Sequence, residues 1–114
     1  MPLDDKDAAC LWDMLQAARE VVEMMQDHDI TGFLDNTVLQ RAVERCLEII
    51  GESARRVSPQ GKETLLEIPW REIIGQRNIL AHEYGQIDHE LLFKTVAEDV
   101  PELIRQLEQA LPPV

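Results

Sequence analysis

Cysteine is scarce: Cys10 and Cys46 are the only two, and neither belongs to a Cys-x-x-Cys pair or a Cys/His cluster. Zinc and dithiol redox chemistry therefore have no ligand set to work with. Both lie among apolar residues at helical spacing and read as small buried thiols. Cationic residues are also few, with 11 Lys and Arg against 22 Asp and Glu and a formal net charge of −11. Such a balance repels nucleic acid at long range, so any nucleic-acid role needs a local basic patch or a partner that sets up a short-range encounter. No apolar run approaches the roughly 18 residues that cross a bilayer. The opening MPLDDKDAAC is acidic where a secretory leader is basic and then apolar, and a cytoplasmic location is expected. Alternating β-type patterns, internal repeats and low-complexity tracts are missing too.

What remains is globular in composition, with 114 residues, 45% hydrophobic and 29% charged. Length and composition fit one domain over 1–114 with a real core. From Asp4 to about Asp27, Ala8, Leu11, Leu15, Ala18, Val22 and Met25 recur at steps of three and four, drawing a narrow seam on a helix capped by Asp4 or Asp5. DHDITGFLDNT then breaks the period, with one short helical turn around Phe33. Asn36 or Thr37 caps a second long helix whose inward set is Val38, Leu39, Ala42, Val43, Cys46, Ile49, Ile50 and Ser53. Ser58 and Pro59 stop that helix and start a short one through Leu66. Pro69 opens WREIIGQRNILAHEY, which ends near Gly85. Asp88 caps a final helix with Leu91, Leu92, Val96, Val100, Leu103, Ile104, Leu107 and Leu111 inward, kinked but not ended by Pro101. The expected fold is all-α, an antiparallel bundle of four main helices plus a short helix.

The run RNILAHEY concentrates chemistry. On a helical wheel Tyr84, Arg77, Ala81, Asn78 and His82 fill a sector of about 160° with Trp70 above it, while Ile73, Ile79 and Leu80 point away to hold the helix. Arg77 offers a permanent planar charge that grips phosphate bidentately, and His82 is the side-chain type that gives and takes protons near neutral pH. That pair suits metal-independent RNA cleavage, in which a base takes the 2′-hydroxyl proton, an acid protonates the departing 5′-oxygen and a cation stabilises the crowded phosphate. One histidine does not easily fill both proton roles, whereas two copies across a two-fold axis do. By spacing alone, the same residues also describe a solvated helix face. His28 and His89 read as surface histidines, since neither has a second ligand at i+3 or i+4. Glu48, Glu52, Arg55 and Arg56 read as an exposed face with i,i+4 pairs. Gly75, in mid-helix, costs about 1 kcal/mol relative to alanine and points to a close backbone approach, such as one by a second subunit.

The stretch IPWREIIGQRNILAHEYGQIDHELLFKTVAEDVPEL, with LEIIGESARRVSP before it, resembles the HepT-like toxins of the HEPN superfamily. Their mark is Arg, a polar residue, three further positions, His, any residue and Tyr, matched here by Arg77, Asn78, His82 and Tyr84, with Pro69 and Trp70 in front. The resemblance runs from about residue 36 onward and is weaker in the first helix. It implies a HEPN-like homodimer in which Arg77 and His82 of both subunits line a cleft that cuts RNA without metal or cofactor, with Asn78 positioning the substrate. It also implies a toxin paired with a nucleotidyltransferase antitoxin that silences it by transferring AMP onto Tyr84. Glu52 resembles a glutamate common in the family and is assigned an accessory part, orienting Arg77 or His82 from the neighbouring helix. The alternative is a non-catalytic HEPN module that binds a nucleotide or the nucleotidyltransferase.

Overall fold

Asp4 sets the start of α1 (Asp5–Met25), its carboxylate accepting the Asp7 amide N–H at 2.7 Å. The computed structural model describes residues 3–82 and 87–112. The seam expected on α1 is in fact a broad face that buries Cys10, Leu11, Met14, Leu15, Ala17, Ala18, Val21 and Met25. The reason is that α1 has two large neighbours, α3 (Thr37–Arg55) and α7 (Val100–Ala110), and must present apolar side chains to both. Asp27 ends the first segment in the left-handed region (φ 68°), which a short polar side chain tolerates. Asp29 then caps α2 (Ile30–Leu34), the turn anticipated around Phe33, whose ring is fully buried.

Asn36 caps α3 by accepting the Leu39 N–H at 3.0 Å. Its inward side chains include Leu39, Val43, Cys46, Leu47, Ile50, Ser53 and Ala54, while Val38, expected in the core, is 81% exposed because Leu39 takes the inward position in that first turn. Ser58 caps α4 (Pro59–Thr64), with Pro59 in the first turn. Buried Asp7 clasps this corner, accepting the Ser58 amide N–H at 2.8 Å and the Ser58 hydroxyl, while Ser58 Oγ accepts from Gly61 N. Both cysteines are free and buried, and burial pushes the Cys46 thiol up, with the Glu20 charge adding to it.

Pro69 supplies the carbonyl that accepts the first bond of α5 (Trp70–His82), from Ile73 N–H at 3.1 Å. The Trp70 indole N–H donates to Leu65 O at 3.1 Å and fixes where the helix begins. The body of α5 packs on α3, and Leu80 is its one fully buried residue. Ile73 is half-buried, but Ile79, expected to help hold the helix, is 49% exposed. A helix seated on one neighbour buries a single narrow stripe, and Ile79 lies about 100° round from Leu80, outside it.

Asp88 caps α6 (His89–Lys94), which runs through a π turn (Thr95–Asp99) into α7. Pro101, with no N–H to donate, is accommodated by this widened turn just before it, and the helix continues as expected. Leu92, Val96, Val100, Leu103, Leu107 and Leu111 face inward, Ile104 is half-buried, and Leu91 is 56% exposed because Leu92 occupies the inward position of that turn. The architecture is all-α, with four long helical segments and two short helices, and no strand occurs among the described residues. Among those residues no helix is long and apolar enough to cross a membrane.

Candidate functional site: an arginine seated between two helices

Where α5 crosses α3, the α3 residue is Gly51. A Cβ there would lie 2.1 Å from Arg77 Cβ, 2.8 Å from Arg77 Cγ and 3.0 Å from the Ile73 carbonyl oxygen. The missing side chain is thus a notch that takes the stem of Arg77, and the α3 residue after it, Glu52, meets the head. Arg77 Nη2 stands 3.0 Å from Glu52 Oε2, and Arg77 Nη1 donates to Asn78 Oδ1 at 3.1 Å. Glu52 is shared, since Arg55 Nη2 lies 2.8 Å from its other oxygen. The Arg55 hydrogen bond, helped by the charges of Arg55, Arg77 and Arg56 and opposed by partial desolvation, holds the Glu52 carboxyl below the ordinary carboxylate range. With side-chain exposures of 26% and 34%, the Arg77–Glu52 pair contributes little to stability; its effect is to fix where the guanidinium points.

His82 occupies the last turn of α5, one turn beyond Asn78 and about 7.5 Å along the axis from Arg77. Its side chain is exposed and has no hydrogen-bonding partner among the described residues. Glu52, Arg77 and Asn78 are therefore brought into contact, and His82 stands apart on the same helix. Of the two targets expected for Glu52, it reaches Arg77. Tyr84 lies outside the described residues.

Other expectations fare unevenly. His28 is exposed, as read from sequence. His89 is not a simple surface residue: its Nε2 is 2.9 Å from Glu44 Oε2, its ring meets Phe33 edge-on at 6.2 Å, and Glu44, only 8% exposed, also holds Arg41 at 2.9 Å. The cause is the Asp88 cap, which starts the helix so that position 89 faces α3. The Glu48–Arg56 group is more than an exposed face, because Glu52 pairs at i,i+3 with Arg55 and also reaches across to α5. Nothing among the described residues comes within 4 Å of a Cβ built at Gly75, so the tight approach within the protomer is at Gly51. Sequence reasoning passed over Gly51, although a glycine inside a long helical pattern carries the same signal that drew attention to Gly75. Among the described residues no three His, Cys, Asp or Glu side chains gather as a metal site.

The family model described as ribonuclease HepT-like matches residues 14–110. The chain is 43% identical over 100 residues to "Putative RNase MJ1380" of Methanocaldococcus jannaschii, covering 88% of this chain and 92% of the relative. It is 37% identical over 99 residues to "Probable ribonuclease HepT" of Thermococcus cleftensis, covering 87% of this chain and 90% of the relative. No solved structure matches it. With its all-α bundle and a match over residues 14–110, this chain belongs to the HepT-like family.

Proposed function

We propose that this protein is an endoribonuclease that cleaves RNA through Arg77 and His82, acting as the toxin of a toxin–antitoxin pair. The observation that carries the reading is the seating of Arg77: its stem lies in the Gly51 notch and its head is held by Glu52 and Asn78, with His82 exposed one turn further on. A guanidinium held in place before substrate arrives stabilises developing phosphate charge without reorganising. The names of the relatives, which specify ribonucleases, agree with this chemistry.

In the proposed reaction a neutral imidazole takes the 2′-hydroxyl proton as that oxygen attacks phosphorus. The P–O5′ bond breaks, the departing oxygen receives a proton from an imidazolium, and a 2′,3′-cyclic phosphate and a 5′-hydroxyl result. Arg77 faces the non-bridging oxygens, and Asn78, by holding Arg77 and standing below His82, positions the phosphate between them. Two His82 side chains are needed at once, so the working unit is a homodimer with α5 of each copy at a shared cleft. Ile79, apolar and half exposed beside the motif, fits a face that a second copy covers. Silencing follows if a nucleotidyltransferase antitoxin joins AMP to the Tyr84 oxygen with release of pyrophosphate, since the added phosphate competes with RNA for Arg77.

The test is cleavage of a fluorescent RNA by purified, unmodified protein in the presence of a chelator, with its mass in solution measured in parallel. Wild type should cut as a dimer, and His82→Ala and Arg77→Ala should each lose cleavage while melting as wild type does. Cleavage by the His82→Ala protein would refute the assignment. An intact dimer that binds RNA without cutting it would leave the non-catalytic binding module in its place.

A further inference from the structure

Arg71 lies on the same face of α5 as Asn78 and His82. Arg71, Gly75, Asn78 and His82 follow one another at i, i+4, i+7 and i+11, a stripe about 60° wide and about 16 Å long. Among the described residues, Arg19, Arg41, Arg55, Arg77 and Arg105 are each tied to a carboxylate; Arg45, Arg56 and Arg71 are exposed and in no ion pair, and of these three Arg71 alone lies on α5. The position where a carboxylate would neutralise it, one turn on at i+4, is occupied by Gly75. The space in front of Gly75 is open, so the stripe between Arg71 and Asn78 is bare backbone. The backbone that carries Arg71 is held in place, because Trp70 beside it is fastened to Leu65 O.

We propose that Arg71 is a positioning residue for RNA, gripping a backbone phosphate remote from the bond that is cut, with the strand passing over Gly75. This rests on the ribonuclease reading of Arg77 and His82. In a chain of net charge −11, an unpaired guanidinium on the helix stripe that carries Asn78 and His82 is a place where a polyanion gains. Guanidinium is suited to that task, since it meets phosphate oxygens bidentately. At roughly 3.4 Å per stacked nucleotide, the length of the stripe corresponds to about five nucleotides. RNA of three nucleotides fits the motif without reaching Arg71.

The experiment measures kcat and KM of wild type, Arg71→Gln and Arg71→Lys on a 15-nucleotide RNA and on a trinucleotide, over a range of salt. Arg19→Gln, which removes one charge at the α1–α7 contact, serves as the charge control. Arg71→Gln should lower kcat/KM on the long RNA about tenfold through KM, leave the trinucleotide unchanged and flatten the salt slope by about 0.7, as one lost single-strand phosphate contact requires. Arg71→Lys should recover the salt slope, and Arg19→Gln should behave as wild type. Equal cleavage of the long RNA by wild type and Arg71→Gln at every salt concentration would overturn the inference while leaving the ribonuclease reading intact. So would an equal loss on both RNAs. Wild-type protein that cuts neither RNA would instead defeat the ribonuclease reading.

Discussion

Replacing Gly51 with alanine adds one methyl group where the two helix backbones have no room for it. The new carbon would sit 2.1 Å from Arg77 Cβ, about 1.3 Å closer than the 3.4 Å at which ordinary contact begins, and 3.0 Å from the Ile73 carbonyl oxygen. Neither atom can rotate away, because one is the first carbon of its side chain and the other is main chain, so α5 must lift from α3. Overpacking of this kind costs about 1–3 kcal/mol, and rigid neighbours put this site at the upper end, about 3. Alanine regains about 1 kcal/mol of helix propensity, leaving a net loss of about 2 kcal/mol. At about 2.1 cal/mol/K per residue, a chain of this length should melt about 8 °C lower. Cleavage should fall further than stability, because Arg77 moves with α5 and a misplacement of about 1 Å can cost 100-fold. Gly75→Ala is the internal contrast: its methyl meets no described atom within 4 Å, so up to about 1 kcal/mol of propensity should raise the melting temperature by about 4 °C. Thermal melts by circular dichroism on the two variants decide it. A Gly51→Ala protein that melts at or above wild type would refute the notch, since propensity alone would then govern both sites.

Glu52→Gln should leave the melting temperature close to wild type, because the pair is part-exposed, yet lower kcat about tenfold as Arg77 loses its anchor; unchanged kcat in steady-state assays would remove Glu52 from the site. The Glu52 carboxyl, held down first by the Arg55 hydrogen bond, should still be ionised just below its usual value of 4.5. Its small stabilising contribution is therefore present above the unfolded-state range and lost only as pH falls through the depressed folded value, and a carboxyl-carbon NMR titration with a midpoint at or above 4.5 would contradict this. Asp7→Ala should cost about 2–3 kcal/mol in urea unfolding, since it strands the Ser58 amide and hydroxyl at a corner where Asp7 is 3% exposed; a loss under about 0.5 kcal/mol would mean that water satisfies those groups.

Helix positions and caps were legible because they depend on local rules. Asp4, Asn36, Ser58 and Asp88 each cap as short polar residues ahead of an apolar period do. The partners of each helix were less legible, since a period records which side is apolar but not how many neighbours cover it. That is why α1 is broader than its seam, and why Ile79 and Leu91 stand outside the core. At the site, the residue types on α5 could be read from sequence, and the contact of Glu52 with Arg77 is one of the two that the family resemblance offered. Gly51 could not be matched to Arg77, because that contact joins residues far apart in the chain and depends on where two helices cross. His89 was misread for the same reason: its partner, Glu44, is 45 positions away.

The seating of α5 on a single neighbour has a consequence for how the molecule opens. Elements with few buried apolar contacts detach at a lower free energy than the whole protein unfolds, and α5 has one fully buried side chain while α1 has nine buried residues. The amides of α5 should therefore exchange with solvent through local opening, well ahead of those in α1 and α3. Any occupant of its outer face, whether RNA or another protein chain, binds only the closed form and so slows that exchange in proportion to its own affinity and concentration. The helix bearing Arg77 and His82 thus doubles as the part of the fold whose persistence reports whether it is engaged.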